Sequence, residues 1–362
     1  MYTHNRNHFL RHYLKNKALN HSLSAKHEQF DPNQISALVQ VFDTVKMDEM
    51  LSLHDRKSNL YRNHQRYLHY LEDSLGLLPL SRLSKDIFSK LDDLALKFPN
   101  FVNVIEFYRE QFALALMNES PTFTANPLLI SGPPGVGKTA FCRALAKIID
   151  TYFEFVSFSG ITAGFVLGGM SSNWADGKPG RIVETLARGL KANPLIMLDE
   201  IDKCGGDKRY DPLGSLYQLL EKETASTFVD EGLEIATDCS YVVWVATANH
   251  CELIAEPILS RFTILEVNPP NKEQMKAVLQ SIYDTIRQQH TWGSQFSEHL
   301  SSPLVEKIIL SRLEPRLLQR ELIAACGKAA LRNTAEDGKI SVFPEDFVPR
   351  QKANRLATIG FI

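Results

Sequence analysis

Ser131-Gly132-Pro133-Pro134-Gly135-Val136-Gly137-Lys138-Thr139 is a phosphate-binding turn lying between an apolar run, Leu128-Leu129-Ile130, and a helix-forming stretch, Ala140 to Ile149. That stretch holds neither Pro nor Gly and keeps its β-branched residues to the end, as a helix prefers. The glycines of the turn, Gly132, Gly135 and Gly137, let the backbone fold tightly. Its N–H groups, including those around Pro133, Pro134 and Val136, then converge on a polyphosphate, with the positive end of the new helix behind them. Lys138 supplies a point charge for the outer phosphates, and the Thr139 hydroxyl is placed to ligate Mg²⁺. A Gly-rich structural turn could share the glycines, but the spacing of Gly, Lys and Thr between a strand and a helix favours the nucleotide cradle.

Outward from the turn, short apolar runs alternate with helical segments. Phe153 to Val156, Leu195 to Leu198, Tyr241 to Ala246 and Thr263 to Val267 join Leu128 to Ile130 as five candidate strands, the pattern of a parallel sheet covered on both faces. In such an α/β sheet, ligands bind beyond the carboxyl ends of the strands, and polar groups stand there on three of them. Leu195-Ile196-Met197-Leu198 runs into Asp199-Glu200, with Asp199 placed to hold the Mg²⁺ shell and Glu200 to orient and polarise an attacking water. An acidic pair at a strand end can also be a helix cap or a surface turn. The run from Tyr241 to Ala248 ends in Asn249, an amide able to touch both the γ-phosphate and the water, and otherwise an ordinary turn former. The reaction implied is in-line attack of water on a γ-phosphoryl group, driven by positioning and charge stabilisation. Two arginines stand out as further participants, Arg261 after Pro257-Ile258-Leu259-Ser260 and Arg316 opening the last long helix, although most single arginines are surface ion-pair residues.

On either side of the sheet region the pattern is helical. From Ile35 to about Leu78 apolar residues recur at helical spacing, with Gly76 and Pro79 as stops, and a further helix spans about Val102 to Met117. After Pro269-Pro270 only helices are predicted, Lys272 to Gln289, Pro303 to Leu313 and Pro315 to Asn333. The expected organisation is a basic N-terminus over 1–30, a helical segment over 31–100, a nucleotide-binding α/β domain over 101–268, a small helical lid over 269–348 and a tail over 349–362.

The 362 residues carry a formal charge of only −2, which gives no whole-protein reason to expect nucleic acid or an anionic membrane as partner. Five cysteines form no CxxC pair, so neither a zinc cluster nor a disulfide framework is suggested and a reducing compartment is expected. The chain lacks an apolar run of the ~18 to 20 residues needed to span a bilayer, and its start lacks a secretory signal, so a cytoplasmic location is expected. Residues 1–30 set Arg6, Arg11, Lys15, Lys17 and Lys26 against the single acid Glu28. This is read as a solvated terminus, with a nucleic-acid arm or a transit peptide as alternatives. His4, His8 and His12 have helical metal-ligand spacing but no acidic or Cys partner nearby.

Taken together, LLISGPPGVGKT, LIMLDEIDKCGGDKRYDP, VVWVATAN, PILSRF and EPRLLQREL make the chain resemble the AAA+ ATPase module of Lon proteases, from about Arg66 to Val348. The fold implied is an AAA+ P-loop NTPase: a parallel five-stranded sheet, a small C-terminal helical lid and an N-terminal helical segment. The resemblance implies ATP with Mg²⁺, bound between neighbours in a homo-oligomeric ring, commonly of six subunits. By that likeness Arg261 matches the arginine finger that reaches into the next subunit's site, and Arg316 the sensor in the lid. Trp174 and Ala175, in a polar, Gly-rich setting, fall where the family carries the pore-loop residues that grip a polypeptide.

Three departures shape the functional expectation. The protease domain that would follow the lid and the large amino-terminal substrate domain of typical Lon have no counterpart in this sequence, and Trp174 stands where Tyr is usual. The expectation is therefore an ATPase that remodels or translocates proteins without cutting them, with a peptidase or adaptor on a separate chain as a compatible partner. The alternative is an ATP-switched assembly scaffold or nucleic-acid-associated ATPase, favoured by the basic N-terminus.

Overall fold

The computed structural model describes residues 38–118, 121–159, 165–189, 191–204, 213–311, 313, 315–332 and 338–349. The basic N-terminus with His4, His8 and His12, the stretch 205–212 and the tail from residue 350 lie outside the described residues.

In chain order, β1 (Leu38–Gln40), α1 (Thr44–Leu53), α2 (Asn59–Leu71) and β2 (Leu77–Pro79) come first. Then follow α3 (Ile87–Lys97), α4 (Val102–Leu116), β3 (Leu128–Ser131), α5 (Lys138–Ile148), β4 (Phe153–Ser157), α6 (Arg181–Gly189) and β5 (Leu195–Asp199). The chain continues through the short pair β6 (Phe228–Val229) and β7 (Ala236–Thr237), then β8 (Val243–Ala248) and β9 (Thr263–Glu266). It ends in α7 (Lys272–Gln289), α8 (Ser302–Leu310) and α9 (Pro315–Arg332).

The described residues form two compact units, one made of those within 1–91, 103–132 and 139–266, the other of those within 92–102, 133–138 and 267–362. The first is built on a five-stranded, all-parallel sheet of order β4-β5-β8-β3-β9. Its central strands are continuous apolar runs because both faces are covered: every residue of β8 is buried, and in β5 only Asp199 reaches the surface. The chain leaves β3 for β4 on one side and later passes beyond β3 to reach β9 on the other. That reversal opens a crevice at the carboxyl end of β3. All five strands match those read from the sequence, the largest difference being β8, which starts and ends two residues later. There the Val242 N–H turns back to Cys239 O, and the ladder begins only when Val243 donates to Pro194 O.

The segment preceding the sheet is helical only in part. Leu38–Gln40 pairs antiparallel with Leu77–Pro79, so the helical reading of Ile35 to Leu78 is corrected at both ends. The cause is Gly76, whose φ of 78° turns the chain and whose missing side chain lets Phe42 O approach to 2.1 Å from where a Cβ would stand. Val41 and Phe42 both donate to Gly76 O, and Phe42 enters the core that also contains Tyr67, Leu129, Ile196 and Trp244. Helix α3 falls within the helical segment expected over 31–100, although no separate helix is read there; its buried Ile87, Leu91 and Leu94 keep helical spacing.

The second unit centres on α7, α8 and α9, which pack around Leu279, Tyr283, Ile286, Leu304, Ile308, Leu318 and Leu322. Helix α7 starts at a capping box, in which Asn271 accepts from the Gln274 N–H and Gln274 accepts from the Asn271 N–H. Helix α8 stops at Leu310, three residues short of the predicted Leu313, because the Ser311 N–H closes back on Lys307 O and Ile308 O.

Candidate nucleotide site

The phosphate loop continues directly from β3. Gly132 donates its N–H to Ala248 O at 3.1 Å, which ties the start of the loop to the neighbouring strand end. Gly135 and Gly137 take φ of 84° and 107°, in the region closed to most side chains, so the turn needs glycine at both. Lys138 opens α5, is buried, and donates to Pro133 O at 3.3 Å, while Asn100 Nδ2 holds Val136 O at 3.4 Å. Thr139 lies one turn before Cys142 on the same helix face. The Cys142 thiol is pushed far above its ordinary range, first by burial and then by the negative charge of Asp199. Cys142, one turn along from Thr139, is thus within electrostatic reach of the acidic strand end.

Asp199 and Glu200 hang on a hydroxyl that the sequence reading passed over. Thr247 Oγ1 on β8 donates to Asp199 Oδ1 at 2.7 Å and accepts the Glu200 N–H at 3.0 Å. Glu200 itself sits at φ 57°, a left-handed conformation that costs a side-chain-bearing residue on the order of 1–3 kcal/mol and is retained only where the surroundings impose it. Its carboxylate meets Lys203 Nζ at 2.5 Å, a hydrogen bond that raises the Lys203 pKa. Asp202, also passed over, accepts the N–H groups of Asn249 and His250 at 3.1 Å each, and so fixes the turn that carries Asn249. Both had a signal in the sequence: Asp202 is a third acid two residues after Glu200, and Thr247 is a hydroxyl in an otherwise apolar strand, where a buried polar group requires partners.

The sheet register thus gathers Gly132, Asp199, Glu200 and Asn249 on three adjacent strand ends, β3, β8 and β5. Left-handed glycines suit a backbone cradle, and hard oxygen donors such as the Thr139 hydroxyl and Asp199 carboxylate suit Mg²⁺. Among the described residues no three His, Cys, Asp or Glu cluster to hold a metal.

Arg261, just after the short helix Glu256–Leu259, is engaged within its own chain. It pairs with Glu221 at 2.6 Å, donates to Pro257 O at 2.5 Å and lies 5.3 Å from the centre of the Tyr217 ring. Arg316 falls in the first turn of α9, and its side chain is outside the described residues. Trp174 and Ala175 form the tip of a hairpin closed by reciprocal bonds between Met170 and Lys178. Both are exposed, Trp174 to 58%, so Trp174 is not a core tryptophan.

Residues 128–269 match the family described as ATPase family associated with various cellular activities (AAA). The chain carries an AAA+ ATPase domain. It is 31% identical over 236 residues to a peroxisomal Lon protease homolog 2 of Oryza sativa subsp. japonica, an alignment covering 64% of this chain and 27% of the relative. It is 32% identical over 241 residues to the Lon protease of Desulfovibrio desulfuricans, covering 64% and 26%, and 30% identical over 229 residues to the mitochondrial Lon protease homolog of Aspergillus niger, covering 62% and 20%. The chain thus spans about a quarter of the length of the curated relatives it matches. Among solved structures, the Saccharomyces cerevisiae Hsp104:casein complex in its extended conformation is similar in fold, with a TM-score of 0.55, 15% identity, and coverage of 70% of this chain and 50% of that one. No helix among the described residues is long and apolar enough to cross a membrane.

The AAA+ domain also holds a buried acid that anchors the Trp174 hairpin. Asp230 is fully buried and accepts N–H groups from Gly180 at 2.8 Å, Gly232 at 2.8 Å and Leu233 at 3.0 Å. Burial raises its pKa to about 7, against the opposing pull of the three donors. A carboxyl whose folded pKa lies above its unfolded value near 3.8 adds stability that is complete below about pH 4 and is lost as the pH rises through about 7. The span corresponds to on the order of 4 kcal/mol. Chemical denaturation at pH 5, 6, 7 and 8 is expected to show that decline, and Asp230→Asn to flatten it. The variant is also expected to lose about 1–3 kcal/mol at pH 5, because an amide cannot accept the Gly180 N–H and both neighbouring amides at once.

Proposed function

We propose that this AAA+ protein hydrolyses ATP with Mg²⁺ in a homo-oligomeric ring, commonly of six subunits, and uses the energy to remodel or translocate polypeptides. The convergence of Asp199, Glu200 and Asn249 beside the phosphate loop's first glycine carries the reading. Lys138 and the loop amides bind the phosphates, Thr139 and Asp199 hold the metal shell, Glu200 takes a proton from water, and Asn249 orients that water against the γ-phosphoryl group. Mg²⁺ supplies charge neutralisation on the phosphates when bound. Arg261 serves the neighbouring protomer's site and Arg316 reports on nucleotide from the lid. In this reading residues 101–268 are the nucleotide domain, 269–348 the lid and 31–100 a helical extension.

Trp174 and Ala175 are the residues that grip the polypeptide. An exposed aromatic ring on a hairpin tip supplies a large apolar contact at small cost in conformational entropy. The Lon-type relatives and the casein in the name of the similar Hsp104 complex support a protein substrate. No group within these residues is assigned to peptide-bond cleavage, and a peptidase or adaptor on another chain is a fitting partner. We propose the cytoplasm as the location, although the plant and fungal relatives are peroxisomal and mitochondrial.

Trp174→Ala tests this reading with casein as the unfolded-protein probe. Basal ATP turnover is expected to stay within about twofold, while casein-stimulated turnover falls by about tenfold or more, in line with losing an aromatic anchor. An unchanged response to casein would favour an ATP-switched scaffold instead, and ATP-dependent loss of intact casein would overturn the assignment of pulling without cutting.

A further inference from the structure

We propose that Asn59 and Asn63, on α2, are positioning residues for the Trp174 hairpin and hold its tip in the geometry that grips substrate; the inference rests on the reading of Trp174 as the gripping residue. The observation is a set of side-chain amides capturing loop carbonyls far away in sequence. Asn59 Nδ2 lies 2.5 Å from Trp174 O, 3.2 Å from Ala175 O and 3.4 Å from Ser172 O. Its Oδ1 accepts from Arg62 Nη2 at 2.9 Å, which fixes which end of the amide faces the loop. One helical turn on, the buried Asn63 donates to Gly177 O at 3.4 Å and to Gly232 O at 2.9 Å. His64 Nε2 meets Leu233 O at 2.6 Å, in the same turn whose amides Asp230 receives.

These contacts reach both ends of the turn at the hairpin tip. Its internal backbone bonds are few: Trp174 N–H to Ser171 O, Gly177 N–H to Trp174 O, and the Met170 and Lys178 pair. The Trp174 ring is largely exposed and so contributes little packing of its own. Helix α2, by contrast, is a rigid support, capped by Ser58 and sunk into the core through Leu60, Tyr67 and Leu71. Holding the tip by its backbone carbonyls orders the loop while leaving the side chain at 174 free for a polypeptide, which is what a reusable grip needs.

Asn59→Asp is the discriminating variant, because it keeps shape and acceptor but removes the donor that three carbonyls share. Asn63 is the poorer test, since a carboxylate there would be buried and leave Gly232 O unpartnered. With the full chain, ATP and casein, Asn59→Asp is expected to keep basal turnover within about twofold and to raise the casein concentration for half-maximal stimulation by about fivefold. Maximal stimulation is expected to change less. Amide exchange at Trp174 and Gly177 should quicken by about two- to tenfold, the range set by losing one such hydrogen bond. Asn59→Gln, which keeps the donor, should recover part of both effects. Unchanged exchange at the hairpin amides would overturn the brace, and so would an unchanged casein response in Asn59→Asp where Trp174→Ala abolishes stimulation. If Trp174→Ala itself leaves casein stimulation intact, the gripping reading fails first and the positioning role falls with it.

Discussion

Glu200→Gln is expected to bind ATP and leave it intact, with turnover down by about 10²- to 10⁴-fold, the range lost when a positioned proton acceptor is removed. The substitution keeps the side chain's size and the N–H bond to Thr247, so the strained turn at φ 57° has no new reason to relax. It does remove a second interaction, the ion pair with Lys203. Lys203→Ala is therefore the control: loss of that partly exposed pair alone should shift turnover by no more than a few-fold, because such pairs contribute about 1 kcal/mol or less. A fluorescent ATP analogue measures binding and phosphate release measures turnover. Full turnover by Glu200→Gln would mean that the proton acceptor lies elsewhere.

Arg261→Ala should be equally severe in the assembled protein, with turnover down by about 10³- to 10⁵-fold, as found when an arginine finger is absent from other phosphoryl-transfer sites. Its present bonds do not compete with that role. The Glu221 partner is about half exposed, and an ion pair of this kind is worth at most about 1 kcal/mol, whereas a 10³-fold rate effect corresponds to about 4 kcal/mol. In the proposed role, the transition state would therefore compete successfully with Glu221 for the guanidinium. Mixing gives the decisive measurement: in joint rings, Glu200→Gln protomers lend their intact Arg261 to the sites of Arg261→Ala protomers, whose Glu200 is intact. Recovered turnover in the mixture, absent from either variant alone, is expected. A mixture as inactive as its parts would place the role of Arg261 within its own protomer.

Much of this architecture was legible in the sequence, and the reason is physical. A parallel sheet buried on both faces forces continuous apolar strands, so Leu128–Ser131, Leu195–Asp199 and Val243–Ala248 announce themselves, as do the polar residues that interrupt them. Lys272–Gln289 was equally plain because Pro269-Pro270 and the Asn271 cap mark its start. What escaped was set by distant partners. Leu38–Gln40 becomes a strand only because Gly76 brings Leu77–Pro79 alongside, and a run of three residues carries no period of its own. The supporting roles of Thr247 and Asp202, the burial of Asp230 and the amide contacts of Asn59 likewise join residues that sequence order keeps apart.

The shared hydroxyl of Thr247 has a wider consequence. Because one side chain on β8 serves both acids that close β5, alignment between these strands is itself a functional variable. A slip of a single residue would turn that hydroxyl to the opposite face of the sheet and strand two carboxyl-bearing residues at once. Damage anywhere that loosens the seam, however remote from nucleotide, would then silence the enzyme without touching one of its reactive groups.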